Sequence, residues 1–125
     1  MKPNEEVKAV CNHVRQTGYD IHTYHGHVHL EKVYENALAN RLTKSGFTVR
    51  QQEPIRVYDE DGTVLGDYFA DILLEDWLIL ELKAVKTLAP EHTAQILGYL
   101  KSARLKHGLL INFGSCRFEI KKYAL

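Results

Sequence analysis

Three ionisable residues stand inside the most apolar part of this chain. The stretch ADILLEDWLILELKA, residues 70–84, carries Asp71, Glu81 and Lys83 where a core favours Val or Leu. Burying an ion costs several kcal/mol even after the protein relaxes, against a net domain stability of only ~5–15 kcal/mol. These residues therefore need a partner or a purpose. Side chains alternate along a strand, so Trp77, Ile79, Glu81 and Lys83 share one face, and Leu78, Leu80 and Leu82 the other. Asp71 stands ten residues before Glu81, across a turn near Glu75-Asp76. A two-residue turn pairs Leu74 with Trp77 and sends Asp71 to the far face. A three-residue turn, or one bulge, brings the two acids together. We expect that second register.

Two carboxylates ~4 Å apart repel by ~4 kcal/mol at an effective dielectric of about 20, enough to keep one of them protonated near neutral pH. A divalent cation removes the conflict. Oxygen ligands in this number suit Mg2+ or Mn2+, which keep several waters and accept substrate phosphate. Lys83 can then orient or deprotonate the attacking water, or stabilise charge on the phosphate. A metal-activated water attacking a phosphodiester accounts for all three residues at once. The competing reading is a Glu81–Lys83 ion pair with Asp71 at the sheet edge, since structural charge networks also occur.

The surrounding pattern supplies elements to hold these residues. Asn4 is placed to cap a first helix, with Glu5 and Glu6 favouring its dipole, and Val7, Val10, Cys11, Val14, Ile21 and Tyr24 recur at helical spacing. Gly18 falls on that face, and Gly26 breaks the run. Leu30, Val33, Tyr34, Ala37, Leu38 and Leu42 form a second helical stripe ending at Gly46. Residues 47–51 and 54–58 read as two strands, followed by an Asp59-Glu60-Asp61-Gly62 hairpin turn. Strands follow at 64–74 and 77–84, the second central in the sheet because it is nearly all apolar. Pro90 opens a third helix containing Ile96, Leu97, Tyr99 and Leu100. Strands at 109–113 and 118–123 close the chain. The fold class is α/β (α+β), a central mixed sheet flanked by helices.

The 125 residues suit a single domain, residues 1–125. No apolar run approaches the ~20 residues of a membrane span, and the N-terminus lacks a signal-peptide pattern. Cys11 and Cys116 alone make no disulfide framework, so we expect a cytoplasmic protein. Net charge is zero, with 16 basic and 16 acidic residues, but residues 101–125 carry six basic side chains against Glu119 alone, a net of +5. The rest of the chain is therefore −5. A basic end beside an acidic centre can hold a phosphate backbone near a carboxylate site, although a solvated surface has the same pattern.

At Asp71 and Glu81-Leu82-Lys83 the chain resembles the PD-(D/E)XK nuclease superfamily, whose signature is an Asp followed by Glu-x-Lys on the next strand. Ala70 stands where that signature has Pro. The chain also looks like the prokaryotic group called GxxExxY proteins. That motif falls on residues 28–34, with Val28 in place of the Gly. Residues 34–38, 66–83, 94–100 and 109–114 extend the resemblance over residues 20–120. It implies a restriction-endonuclease-like αβββαβ core and a Mg-dependent nuclease acting on DNA or RNA, with Mn2+ as substitute. The alternative it leaves open is a catalytically silent nuclease-fold module that binds nucleic acid or a partner protein. It implies a helical Glu completing the metal site with Asp71 and Glu81. Glu31 and Glu35 are the candidates, and Glu31 matches the group's named Glu. It also implies that Gln95 and Tyr99, a Gln-x-x-x-Tyr pair one helical turn apart, act with Asp71, Glu81 and Lys83. A domain this small has a short footprint on nucleic acid, so a homodimer or larger protein partner is expected, and no membrane.

His22, His25, His27 and His29 cluster, and the last three would share a face if extended. They suggest zinc only weakly, because no Cys lies nearby and the run joins two helices. Asp59-Glu60-Asp61-Gly62 lacks the remaining ligands of a calcium loop.

Overall fold

The computed structural model describes residues 2–125. Helix α1 (Asn4–His25) buries Val7, Cys11, Val14, Gly18 and Ile21, alternating steps of four and three residues on one stripe. Pro3 precedes the helix, and Asn4 is its first residue rather than a side-chain cap. Tyr24, expected on the inner stripe, is exposed at the helix end. Gly26 follows with φ 72°, a left-handed conformation suited to glycine. Gly18 admits a close neighbour, because a Cβ there would lie 2.6 Å from the Phe118 ring.

Helix α2 (Glu31–Lys44) buries Tyr34, Glu35, Leu38, Ala39 and Leu42. Leu30, expected on the stripe, precedes the helix and is exposed. The Tyr34 ring stacks on Phe113 at 4.7 Å, and its hydroxyl donates to the Gly26 carbonyl at 2.6 Å. A tyrosine is thus buried with its polar end satisfied, locking α2 to the turn before it.

The five strands are β1 (Val49–Tyr58), β2 (Val64–Leu74), β3 (Leu78–Lys83), β4 (His107–Asn112) and β5 (Glu119–Ala124), in the sheet order β1-β2-β3-β4-β5. Helix α3 (Pro90–Ala103) joins β3 to its parallel neighbour β4, while the other pairs are antiparallel. Elements α2 to β4 therefore read αβββαβ. Residues 49–58 are one strand where the sequence suggested two. Pro54 is tolerated because β1 is an edge strand, where a missing ladder donor costs little. The break expected near residue 52 survives as a kink, with Gln52 at φ 52°.

One core lies between the sheet and α1/α2, where Ile72, Leu74, Leu78, Leu80, Leu82, Leu109 and Ile111 meet Val14, Tyr34 and Leu38. A second lies under α3, where Leu73, Ile79 and Leu110 meet Ile96, Tyr99 and Leu100. Trp77, expected beside Ile79, belongs to the first core, because it sits in the turn before β3 rather than in the ladder. With both faces covered, β3 is buried almost throughout, as its apolar run requires.

Candidate active site

The decisive turn has three residues. Glu75 and Asp76 adopt positive φ (57° and 68°), and the ladder closes with Leu74 opposite Leu78 and Ile72 opposite Leu80. The next position in register sets Asp71 against Glu81. Both acids now meet across two strands, as the odd register requires.

At that level the regular ladder ends. The last β2–β3 pair is Ile72 with Leu80. Beyond it the main chain bonds to the acids: Asp71 N–H donates to Glu81 Oε1 at 2.9 Å, and Leu82 N–H donates to Asp71 Oδ2 at 2.8 Å. Each carboxylate takes the place of a missing ladder acceptor, which holds both side chains in the gap between diverging strands. The alternation of faces also breaks here. Ile72 packs in the first core and Ala70 in the second, although residues two apart on a regular strand share a face.

Glu81 is only 2% exposed. Burial, and then the Asp71 carboxylate, push its carboxyl up to about 8. Burial also raises Asp71, opposed by its bond from Leu82 and reinforced by Glu35. Two acids raised side by side are a site that a cation would relax.

Lys83 lies two residues on, at the end of β3. Its Nζ donates to Gln95 Oε1 at 2.6 Å rather than pairing with Glu81. Gln95 Nε2 in turn donates to the Tyr99 hydroxyl at 3.0 Å. The phenol is raised from its ordinary value by burial and then by the Glu81 carboxylate. The Tyr99 ring also packs on Tyr68 at 5.0 Å between centroids. Asp71, Glu81, Lys83, Gln95 and Tyr99 are thus gathered toward the end of β3, where α3 passes over it.

Helix α2 brings two further acids. Glu31, the residue favoured from its motif position, is exposed in the first turn. Its carboxyl is raised by partial desolvation and then by Asp71. Glu35 is 3% exposed and more closely held. It accepts from Gln52 Nε2 at 2.9 Å, Gln51 Nε2 at 2.8 Å and Lys32 Nζ at 3.0 Å. Among the described residues no three His, Cys, Asp or Glu side chains lie close enough together to hold a metal ion. Glu31 nonetheless lies near enough for Asp71 and Glu81 to feel its charge. His22 stacks with His27 and His25 meets His29 edge-on, two separate pairs.

The donor set fits a hard divalent cation. Asp71 Oδ1 is touched only at 3.4 Å by Gln52, and Glu81 Oε2 has no protein donor among the described residues. One oxygen from each acid is left for a cation, and an ion that keeps several waters needs no more from the protein.

Two contributors were not visible beforehand as site residues. Gln52 reaches Asp71 and Glu35 only through its positive φ, which side-chain type does not announce. Asn112, fully buried inside an apolar run, was the clearer signal. Its amide accepts from Val85 and Gly114 N–H and donates to the Val85 carbonyl and Glu119, fixing the loop that follows Lys83. The basic residues of 101–125 are dispersed. Lys101, Arg104 and Lys106 lie at the end of the sheet away from Lys83, because His107 pairs with Leu78 and Asn112 with Lys83. Lys121 pairs with Leu110, which is itself opposite Glu81.

A diverging strand pair with Asp on one side and Glu-x-Lys on the other, inside an αβββαβ core, defines a nuclease-type fold. The family model of the PD-(D/E)XK nuclease superfamily matches residues 8–123, and the chain belongs to that superfamily. Nucleases of that superfamily are generally dependent on a divalent metal. The crystal structure of SSO0001 is similar in fold, with a TM-score of 0.60 and 14% identity. That match covers 74% of this chain and 48% of the other, so the chain spans about half the length of that relative. No curated protein matches. No helix of the described residues is long and apolar enough to cross a membrane.

Proposed function

We propose that this protein is a Mg2+-dependent nuclease that hydrolyses phosphodiester bonds of DNA or RNA, with Mn2+ able to substitute. The reading rests on one observation above the rest: a three-residue turn brings Asp71 and Glu81 together, each with one oxygen left over. Those oxygens would hold the ion, with Glu31 or Glu35 nearby on α2 as further negative charge. When bound, the cation activates the attacking water and offsets charge on the phosphate.

The chain's own residues do the remainder. Burial of Glu81 disfavours its charge until a cation arrives, so proton release and cation binding are coupled. Lys83 Nζ, held by Gln95, lies beside the acids and can orient the water or donate to a phosphate oxygen. Tyr99 orients Gln95 and hence Lys83, which gives the Gln-x-x-x-Tyr pair a positioning role. Within the superfamily, the order of motifs supports placement in the GxxExxY group. One domain of this length covers little nucleic acid, so a homodimer or larger protein partner belongs to the same reading. Two unpaired cysteines suit a reducing cytoplasm.

The test is calorimetric titration of Mg2+ and Mn2+ into wild type, Asp71→Ala and Glu81→Ala, with the same samples assayed on single- and double-stranded DNA and RNA. Metal binding and cleavage lost together in both variants is the expected result. Binding without cleavage of any substrate would replace the nuclease with a silent binding module. Absence of Asp71-dependent binding would reduce the three residues to a structural charge network.

A further inference from the structure

The geometry points to Gln52 as a positioning residue that clamps Asp71 to the Glu35 carboxylate of α2 and so preorganises the cation site; this rests on the metal-site reading above. Gln52 lies within β1, in a strand whose register is unbroken on either side: Gln51 pairs with Ile72 and Glu53 with Ala70. Regular alternation would therefore place residue 52 opposite Asp71, on the face away from α2. Gln51, opposite Ile72, points to α2 as expected and reaches both Glu35 and Asn36. Gln52 also reaches Glu35, at 2.9 Å, while keeping a longer contact to Asp71 Oδ1 at 3.4 Å.

It spans the two because its backbone is left-handed, at φ 52°. That conformation is unfavourable for a non-glycine residue and is visited mainly by Gly, Asn and Asp. A long side chain in such a place is strained, and strain of this kind concentrates where a site needs preorganisation. Glycine would meet the backbone requirement alone. What glycine lacks is the amide. That amide addresses Asp71 Oδ1, the oxygen the main chain does not use, since Leu82 N–H occupies Oδ2. It also leaves Glu35, nearly sealed from water, with a donor on each oxygen. Partners of this kind behind metal-binding carboxylates typically change metal affinity by 10–100-fold when removed.

The experiment is calorimetric Mn2+ titration of wild type, Gln52→Gly and Asp71→Ala, each with a thermal melt in EDTA. Gln52→Gly is expected to stay folded, since relief of backbone strain offsets the donor lost by Glu35, while binding Mn2+ about tenfold or more weakly. Should Gln52→Gly fail to fold, Gln52→Asn serves instead: it accepts the same backbone but is too short to span both acids, and the same loss of affinity is expected. Wild-type affinity in the folded variant, with binding lost in Asp71→Ala, overturns the role of Gln52 and leaves the metal site intact. No Mn2+ binding by wild type overturns both.

Discussion

Glu81 sets the behaviour of the site at the scale of one residue. Its carboxyl is neutral in the folded, metal-free protein up to about pH 8, while the unfolded chain ionises near the ordinary 4.5. The folded state therefore holds a proton that the unfolded state has lost. Stability falls as pH rises between those values, by at most ~5 kcal/mol, and is level beyond them. Melting in EDTA across pH 5–8.5 should show this decline in wild type, and Glu81→Gln should remove most of it while melting higher at pH 8. On the proposed function, the same proton would compete with the cation. Mn2+ affinity should rise about fiftyfold from pH 6 to pH 8, nearly one decade per unit until Glu81 begins to ionise. A pH-independent affinity would mean that Glu81 does not bind the ion.

At the scale of elements, the site depends on how β3 leaves the sheet. Asn112 at the end of β4 fills all its hydrogen-bonding capacity on Val85, Gly114 and Glu119, tying down the loop between Lys83 and α3. Gly114 belongs to the same junction, because a Cβ there would collide with the Ala84–Val85 backbone. Asn112→Ala strands several buried polar groups and should cost ~2–4 kcal/mol in a denaturant titration. It should also depress cleavage more than substrate binding, since the loop carries the approach to Lys83. A loss under ~1 kcal/mol would mean that water replaces the amide freely.

For the whole molecule, the proposed cation binding would be a stability term. At a Mn2+ concentration about 100 times Kd, mass action adds ~2.7 kcal/mol, or roughly 10 °C in Tm for a chain of this size. Asp71→Ala should show no such shift in the same scan. Charge placement makes a second prediction. Arg117 follows β4 at the site end of the sheet, and Lys121 lies two strands from Glu81, about 10 Å away. Lys101 and Lys106 lie at the other end. Removing Arg117 and Lys121 together should weaken nucleic-acid binding and lower the salt slope by about 2. Removing Lys101 and Lys106 should change it little. Anisotropy titrations over a salt series separate the two, and equal effects would mean that the backbone runs along the whole basic end.

Much of this was legible from residue order. The apolar spacing of 7, 11, 14, 18 and 21 marks α1 from residue types alone, and the nearly all-apolar run 77–84 marks a central strand, because burial on both faces leaves little room for polar alternation. The ionisable residues within that run mark a candidate site by the cost of burying them. Glu31 and Glu35, one turn apart on α2, could not be ranked this way, since both have the right chemistry and only packing seals Glu35 beneath Gln51 and Gln52. The kink at Gln52 was equally hidden, because a left-handed glutamine is stabilised by distant partners and not by local preference. The sequence by itself determined which residues carry charge into the core and that one turn must decide their meeting. The tertiary structure decided the length of that turn, the divergence of β2 from β3 and the bond from Lys83 to Gln95, because each depends on contacts between segments far apart in the chain.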